Sequence, residues 1–463
     1  MIIDSQEDTI AAISTPYGES GIGIVRLSGS RAKEVGVRLF RGKGGPGGFE
    51  SHRMHYGEIV DPADGGVIDE VLFVFMAAPK TYTREDVVEI QCHGGSVVLT
   101  RILECALREG ARLATAGEFT KRAFLNGRID LAQAEAVIET IKAKGVEGLR
   151  VANEQLRGRL SREIGELRDV LLGGLAEIEG LLDFPDEELG ESDWEGVRDS
   201  LQSVEERLGV LIGSFEEGKI LREGVIAAIV GKTNVGKSSL LNALVGDEKA
   251  IVTSVPGTTR DVIEERVNLS GVVLRVVDTA GMRRWRNVVE KEGIERTKKM
   301  IRESDLVMVV VDHSRRLTGQ DREIFERVGE KKKIVVVNKI DLPGRLGRGG
   351  LRRAFPGMQL IEVSALTGEN LERLRSVVRE DLVRMGGDGW GERTVITETR
   401  HRRCLEMARE EVGKALEGVE RDVSPEIVAM EVRGALDGLG QIVGETVTED
   451  VLDEVFRRFC VGK

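Results

Sequence analysis

The chain has 463 residues, of which 41% are hydrophobic, and it carries a formal net charge of −12. A chain of this length should hold about two to four domains with real hydrophobic cores. The acidic balance argues against a general nucleic-acid binder, because contacts to phosphate need a local excess of Lys and Arg. A local basic face is still open as an alternative.

Cysteine usage and hydropathy both predict a cytoplasmic protein. The four cysteines have no C-x-x-C spacing, which argues against a zinc site and against a disulfide framework. No apolar run reaches the roughly 18 residues that a membrane span needs. The N-terminal segment carries acidic residues where a signal peptide would carry basic ones. We therefore expect a reducing compartment and no membrane partner.

Residues 1–127 alternate short apolar runs with turn residues, which is typical of a mixed α+β domain. A helix is predicted near VVLTRILECALREG. In VVEIQ, Glu89 alternates with Val88 and Ile90 along a strand. This acid either lies on an exposed strand face or awaits a ligand.

From residue 128 the pattern becomes helical. Leucine and isoleucine between Leu149 and Leu182 recur at helical spacings, which predicts one long amphipathic helix that ends before Phe184-Pro185. Ser192 and Glu195 predict a capping box for a second helix. We expect these apolar stripes to form the core of a bundle rather than a partner site.

Residues 225–239 carry the clearest functional signal. Apolar residues typical of a buried strand lead into GKTNVGKS, which fills the pattern G-x-x-x-x-G-K-[ST], and a helical run follows. Backbone N–H groups of such a loop, with the positive end of the next helix, bind phosphate oxygens. We expect Lys237 to reach the β- and γ-phosphates and Ser238 to hold Mg²⁺.

Further motifs follow in the order that a GTPase needs. DTAG closes an apolar run, so Asp278 lies at a strand end where it can reach Mg²⁺ through water, and PGTTRD precedes it as a switch loop. NKID follows another apolar run, and Asp341 can accept two hydrogens from guanine, which adenine lacks. The nucleotide is therefore predicted to be GTP. The predicted GTP-binding residues are Asn234, Val235, Gly236, Lys237, Ser238, Ser239, Thr253, Thr258, Thr259, Asp278, Thr279, Ala280, Gly281, Asn338, Lys339, Asp341, Ser364, Ala365 and Leu366.

Two features predict how GTP would be hydrolysed. Met282 follows DTAG, where many GTPases carry a Gln that orients water. Asn234 offers an amide oxygen to a K⁺ ion, which would supply the positive charge of an arginine finger, and Arg260 is the rival for that role.

The patterns together predict an α/β and α+β multidomain chain. An N-terminal α+β domain (1–127) precedes a helical segment (128–221), a doubly wound, Ras-like G domain (222–380) and a second helical segment (381–463). In the last segment, helices are expected over 400–420, after Ser424-Pro425 and after Thr448. The G domain would thus be inserted into a discontinuous helical domain.

The chain resembles the MnmE (TrmE) family of tRNA modification GTPases over essentially its full length. The resemblance rests on GIGIVRLSG, YTREDVVEIQCHGG, GEFTKRAFLNGRIDLAQAEAV, DFPDEEL, LREG before the phosphate loop, and the C-terminal CVGK. It implies an N-terminal domain that binds a methylene- or formyl-tetrahydrofolate and forms a homodimer. It also implies a hetero-oligomer with MnmG (GidA), which carries FAD and uses NADH. Together they would add an aminomethyl or carboxymethylaminomethyl group to C5 of the wobble uridine of certain tRNAs.

The resemblance also implies roles for individual residues. Arg26, Glu89 and Lys463 match folate contacts, and Arg128 stands where the family usually has a folate-binding lysine. Further matches are Thr259 as a Mg²⁺ ligand, Asn234, Thr253, Val255 and Thr258 as K⁺ ligands, Glu290 as the catalytic acid that positions water, and Cys460 as a residue needed for modification. A solvated loop carboxylate is the alternative for Glu290.

Phe456 and Phe459 should anchor the last helix and leave Cys460 to Lys463 as a short tail. We expect this tail to lie against the folate pocket of the N-terminal domain. The alternative function is a ribosome-assembly or signalling GTPase that binds RNA without modifying it. The run Arg400-His401-Arg402-Arg403 is the best local candidate for binding tRNA, although a solvated helix start explains it equally well.

Overall fold

The computed structural model describes residues 8–42, 49–182, 194–246, 264–269, 272–278, 300–385, 393–421 and 423–463. The chain divides into two compact units. The first unit comprises Met1–Ile138, Gln155–Leu201 and Glu410–Lys463, and the second comprises Glu139–Glu154 and Gln202–Arg409. Four of the described helices contain residues of both units: Leu131–Lys142, Val146–Leu156, Glu195–Gly213 and Thr399–Glu420.

The first unit contains a seven-stranded sheet with the strand order β3-β4-β5-β6-β2-β1-β7. Its pairs are antiparallel except for the parallel pair of β1 and β7. The sheet buries apolar side chains against the helix Ser96–Arg108, which presents Leu99 and Ile102 to the core. The predicted α+β character and the predicted helix are confirmed. The strands are β1 (Ile10–Ile13), β2 (Gly23–Ser28), β3 (Phe40–Gly42), β4 (Arg53–Val60), β5 (Val67–Met76), β6 (Val87–Cys92) and β7 (Arg112–Leu113).

Helices account for much of the remaining described part of the first unit. The long helix Arg159–Leu182 packs along Pro425–Val443, and ion pairs such as Arg433 with Glu179, at 2.7 Å, flank the contact. The last helix, Glu449–Arg457, buries Leu452, Val455 and Phe456, as the apolar stripe predicts. Other helices here are Ala32–Leu39 and Glu118–Leu125.

The predicted single helix between Leu149 and Leu182 is wrong. Two helices, Val146–Leu156 and Arg159–Leu182, replace it, and the break falls at Gly158. Gly158 has a φ of 80°, in the left-handed region that ends a helix. Leu149, which the single stripe would bury, is 38% exposed. The capping box at Ser192 lies outside the described residues.

The second unit contains a six-stranded sheet with the order β13-β12-β11-β8-β10-β9. All neighbours are parallel except β9 and β10. Strand β11 is buried along its whole length, as expected where helices cover both faces of a parallel sheet. The predicted doubly wound sheet is confirmed. The strands are β8 (Val225–Val230), β9 (Glu264–Leu269), β10 (Val272–Asp278), β11 (Leu306–Asp312), β12 (Lys332–Asn338) and β13 (Leu360–Val363).

Helices of the second unit are Phe215–Glu223, Lys237–Val245, Gly319–Val328, Arg348–Ala354 and Leu371–Met385. Because β8, β11, β12 and β13 run parallel, the loops that follow them lie along one edge of the sheet, where ligands bind in this class of fold. Among the described residues, no helix combines the length and apolar character needed to cross a membrane.

Candidate functional site

The loop after β8 has the geometry of a phosphate cradle. Gly236, with a φ of 96°, directly precedes the helix Lys237–Val245, whose first N–H groups therefore face the loop. A Cβ atom at Gly236 would lie 2.2 Å from Asn338 Nδ2, so only glycine fits there. The Lys237 ammonium donates to the carbonyl oxygens of Gly231 and Lys232 at 2.9 and 2.7 Å. It lies over the loop where phosphate oxygens would be bound.

Asn338, the last residue of β12, ties three loops together. Its buried Nδ2 donates to Val235 O at 3.0 Å, and its Oδ1 accepts from Ala365 N at 3.0 Å. The phosphate loop, the NKID loop and the loop of residues 364–366 therefore meet at Asn338. Ser364 Oγ donates to Asp341 Oδ1 at 2.6 Å, which orients the carboxylate expected to bind guanine.

Sequence reasoning missed Asp312, a fourth member of this group. Lys339, with a φ of 69°, donates from Nζ to Asp312 Oδ2 at 2.7 Å and to Asn234 O at 2.6 Å. Burial alone would raise the pKa of Asp312, but hydrogen bonds from Lys339 and Ser314 leave it below its usual value. Its position at the end of β11, matching Asn338 at the end of β12, is the signal that could have identified it.

Much of the predicted metal and water machinery lies outside the described residues. For Asp278 the structure describes only the backbone, which ends β10 and pairs with Ile229 of β8. Asn234 is an exposed residue with a φ of 64°. Ser238 is half-buried in the first turn of its helix, where a Mg²⁺ ligand is expected. The predicted residues outside the described part are Thr253, Val255, Thr258, Thr259, Thr279, Ala280, Gly281 and Glu290.

A second cluster lies on the sheet of the first unit. Arg26 on β2 and Glu89 on β6 stand directly opposite each other, and Arg26 Nε donates to Glu89 Oε1 at 2.8 Å. Both side chains are more than four-fifths buried. Glu89 therefore does not lie on an exposed strand face. Its carboxylate belongs to a half-enclosed charged pair that a ligand could reach.

The C-terminal tail lies on the same cluster, as predicted. Val461 forms a β-bridge with Ala116, and Gly462 O accepts from Ser14 Oγ at 3.1 Å and from Arg26 Nη1 at 3.4 Å. A Cβ at Gly462 would lie 2.4 Å from Ile13 O, so the tail can approach the sheet only with glycine here. Residues more than 400 positions apart in sequence are thereby joined.

The last residue completes a group of charges around Arg26. Burial and the neighbouring Arg26 guanidinium lower the pKa of Lys463, against opposing contributions from Glu89 and Cys460. The Cys460 thiol is free and exposed beside this group. Cationic Arg26 and Lys463 suit the anionic glutamate tail of a folate, and the Glu89 carboxylate suits the N–H donors of a pterin ring. The residues therefore fit the cofactor that the resemblance implies.

Arg128 reaches this region through Tyr82, which sequence reasoning missed. The Arg128 guanidinium lies 4.7 Å from the centre of the Tyr82 ring, and its Nη1 donates to Tyr82 O at 3.1 Å. Arg26 lies 6.0 Å from the same ring. Burial raises the pKa of Tyr82, whose hydroxyl pairs with Thr120. An aromatic residue inside the family signature YTREDVVEIQCHGG is the signal that could have identified it.

The run Arg400–Arg403 does not form a continuous basic surface. His401 is fully buried, and Arg402 pairs with Glu406 at 2.7 Å while its guanidinium lies 5.0 Å from the Phe215 ring centre. Arg403 is exposed. These contacts favour a structural helix start over a tRNA-binding patch.

Comparison with known proteins identifies the family of the chain. The family model described as GTP-binding protein TrmE N-terminus matches residues 9–128, and that described as MnmE helical domain matches residues 131–460. The tRNA modification GTPase MnmE of Acetivibrio thermocellus is 47% identical over 458 residues, which cover 99% of this chain and 100% of the relative. That of Bacillus velezensis is 44% identical over 98% of this chain and 100% of its own length. Among solved structures, the G domain of the FeoB iron transporter of T. maritima aligns over 35% of this chain and 99% of its own, with 28% identity and a TM-score of 0.27. By the extent of the matches to the family models and to the two relatives, the chain belongs to the MnmE family of tRNA modification GTPases.

Proposed function

We propose that this protein hydrolyses GTP in the service of tRNA modification, delivering a one-carbon unit to the wobble uridine. The observation that carries the proposal is the C-terminal tail, which lies on the Arg26–Glu89 pair with Cys460 exposed beside it. A GTPase that only binds RNA has no need for such a site. The relatives named above are tRNA modification GTPases, which supports the same function.

The nucleotide half of the site should select and hold GTP. The Asp341 carboxylate, oriented by Ser364, would accept hydrogen bonds from guanine, and Lys237 would exchange its two carbonyl partners for phosphate oxygens. Ser238 and Thr259 would hold Mg²⁺, which neutralises charge on the phosphates. Hydrolysis would depend on K⁺, held by Asn234 with Thr253, Val255 and Thr258, and Glu290 would position water.

The folate half should bind a methylene- or formyl-tetrahydrofolate, which supplies the one-carbon unit when bound. Arg26 and Lys463 would neutralise its glutamate tail, and Arg128, whose guanidinium already stacks on Tyr82, would line the rim. Glu89 would accept from the pterin, giving up part of its pairing with Arg26. Cys460 would act at the mouth of the pocket, beside the bound cofactor.

The remaining partners follow from the family. We propose a cytoplasmic homodimer that forms a hetero-oligomer with MnmG, on which the FAD resides. The product would be the aminomethyl or carboxymethylaminomethyl group at C5 of the uridine.

The test is a deletion strain of the source organism, with wobble nucleosides quantified by mass spectrometry. We expect the C5-modified uridines to disappear and to return with the wild-type gene but not with Arg26→Ala or Glu89→Ala. Fully modified uridines in the deletion strain would refute the assignment. Normal complementation by both variants would refute the folate site alone.

A further inference from the structure

A group of exposed arginines in the second unit has no role in the function proposed above. It lies on two segments that follow neighbouring parallel strands, residues 313–318 after β11 and residues 342–355 after β12. Neither segment contains an aspartate or a glutamate, although the whole chain carries a net charge of −12. We call these exposed arginines the arginine patch; they are Arg315, Arg316, Arg345, Arg352 and Arg353.

Backbone and apolar contacts hold the two segments together. Arg345 N donates to His313 O at 3.0 Å, which joins the second segment to the first. Leu317 of the first segment and Leu346 of the second both pack against the buried apolar cluster that contains Leu351. Each of these leucines has an arginine of the patch as its neighbour in sequence. The segments therefore form one surface, on which the arginines are carried by anchored backbone.

The charges of the patch are largely unpaired. Arg316, Arg345 and Arg352 form no ion pair within the described part of the chain. Arg315 Nε lies 3.7 Å from Asp312 Oδ2, a carboxylate that already pairs with a lysine of the NKID loop at 2.7 Å. An arginine without a carboxylate partner keeps its full positive charge and its hydrogen-bond donors for another molecule.

Neighbouring groups do not cancel this charge. The helix Gly319–Val328 packs beside the patch, because the Phe325 ring lies 4.9 Å from that of Phe355. Its exposed charged residues are two arginines and two glutamates, and its buried Asp321 pairs with a lysine of the phosphate loop at 2.7 Å. Asp341, which precedes the second segment, is oriented by a serine toward its expected role in binding guanine. The patch therefore keeps a local excess of positive charge.

We propose that the arginine patch binds the phosphate backbone of tRNA. The choice of tRNA rests on the function proposed above, in which tRNA is the substrate. A local excess of arginine and lysine is the electrostatic requirement for binding nucleic acid, and guanidinium groups form paired hydrogen bonds to phosphate oxygens. An acidic protein surface would also be attracted, but the phosphates of tRNA offer unpaired negative charge along the whole molecule.

Fluorescence anisotropy with a labelled tRNA that carries a wobble uridine tests the proposal. The full-length protein is used with excess GDP, so that the nucleotide site is filled. Replacing Arg316, Arg345 and Arg352 together by Gln should raise the Kd at least about ten-fold. The plot of log Kd against log salt should lose about one unit of slope for each phosphate contact removed, in the triple variant and in each single variant. A tRNA without a wobble uridine should lose affinity equally, because phosphate contacts carry no sequence information.

A charge-matched variant separates the patch from the total charge of the protein. Arg38, Arg421 and Arg433 are exposed arginines of the first unit that each pair with a glutamate, and replacing them by Gln changes the net charge equally. This control should keep the wild-type affinity and salt slope. No tRNA binding by the wild type, or equal losses in both triple variants, overturns the proposal.

Unaltered tRNA affinity in the patch variants also overturns the proposal, and an acidic protein surface is then the better occupant of the patch. None of these results bears on the proposed function, which the deletion strain tests separately. Loss of tRNA affinity in the patch variants with unchanged GDP affinity supports a binding surface rather than a folding defect.

Discussion

Replacing Asp312 by Asn should loosen nucleotide binding although Asp312 is not expected to contact the nucleotide. Its carboxylate ends β11 with 3% of the side chain exposed, and it accepts from Lys339 Nζ at 2.7 Å and from Ser314 Oγ at 2.7 Å. The same Lys339 ammonium donates to Asn234 O in the phosphate loop. Asp312 therefore fixes the lysine that joins the guanine loop to the phosphate loop. Asparagine has nearly the same shape as aspartate, but it carries no charge to hold the Lys339 ammonium.

The size of the effect follows from that contact. A hydrogen bond to a charged group makes a net stabilising contribution of about 1.5–3 kcal/mol. The Lys339 side chain is 27% exposed, so water will replace part of the interaction in the variant. We expect a loss of about 1–2 kcal/mol in binding free energy, which is roughly a 5- to 30-fold rise in Kd. Binding of GTP and binding of GDP should weaken equally. The kcat should not change, because the base is bound alike in the ground state and the transition state.

Titration with fluorescent GDP and GTP measures this loss. Asp305→Asn is the matched control, because Asp305 precedes the opposite end of β11 and accepts from Ile226 N at 2.9 Å, which an amide oxygen can also do. A change below about two-fold in Asp312→Asn would refute the positioning role. Equal losses in both variants would show a general effect on the sheet instead.

Four further predictions concern groups with separate roles. Asp341→Asn should weaken GTP and favour xanthosine nucleotides, because the amide now needs an acceptor on the base; an unchanged preference in competition binding contradicts this. Glu290→Ala should keep GTP affinity and lose most of kcat in K⁺ buffer, and loss of GTP binding in this variant would contradict a role in hydrolysis. The wild type should hydrolyse GTP slowly in Na⁺ buffer, and equal rates in Na⁺ and K⁺ would contradict the K⁺ site. Cys460→Ser should abolish tRNA modification while K⁺-stimulated hydrolysis continues, since the thiol lies beside the group formed by Arg26, Glu89 and Lys463; normal modified nucleosides would remove Cys460 from the chemistry. Although burial would raise its pKa, hydrogen bonds from Arg112, Thr115 and Arg122 lower the pKa of Glu118 from 4.5 to about 2. The folded state then binds fewer protons than the unfolded state in this range, so Glu118 stabilises the fold above pH 4.5 and loses this contribution as the pH falls to about 2. Glu118→Gln should flatten the acid side of the stability curve, and an unchanged slope in acid denaturation would contradict the shift.

The sheets could be predicted because their signals are local. Strands β8, β11 and β12 of the second unit are mostly apolar runs, and each strand places the functional residues at its end at the edge of the sheet. Asn338 and Asp341 are therefore predictable from sequence, because Asn338 ends a buried strand and Asp341 lies only three positions further on. The same reasoning could have predicted Asp312, but no motif drew attention to it.

The helix break at Gly158 could not be read from periodicity. Leu156 and Leu160, on either side of it, are four residues apart, so the apolar stripe keeps its phase across the break. Only the single glycine distinguished two helices from one, and an isolated glycine is common within helices. The phase of a stripe reports which face is apolar and does not report where one helix ends.

The contacts of Tyr82 and of the C-terminal tail join residues that are far apart in sequence. No spacing rule predicts such pairs from one sequence. The family resemblance nevertheless placed Lys463 near Glu89, and the structure supplies the physical reason. Backbone contacts of residues 460–462 with the sheet and with Gly117 hold the tail, so its position does not depend on the Cys460 side chain. The Cys460 thiol is therefore exposed and is not needed to hold the tail in place. A side chain on a tail that is held by its backbone can be changed without releasing the tail, so loss of modification in Cys460→Ser would report chemistry rather than folding.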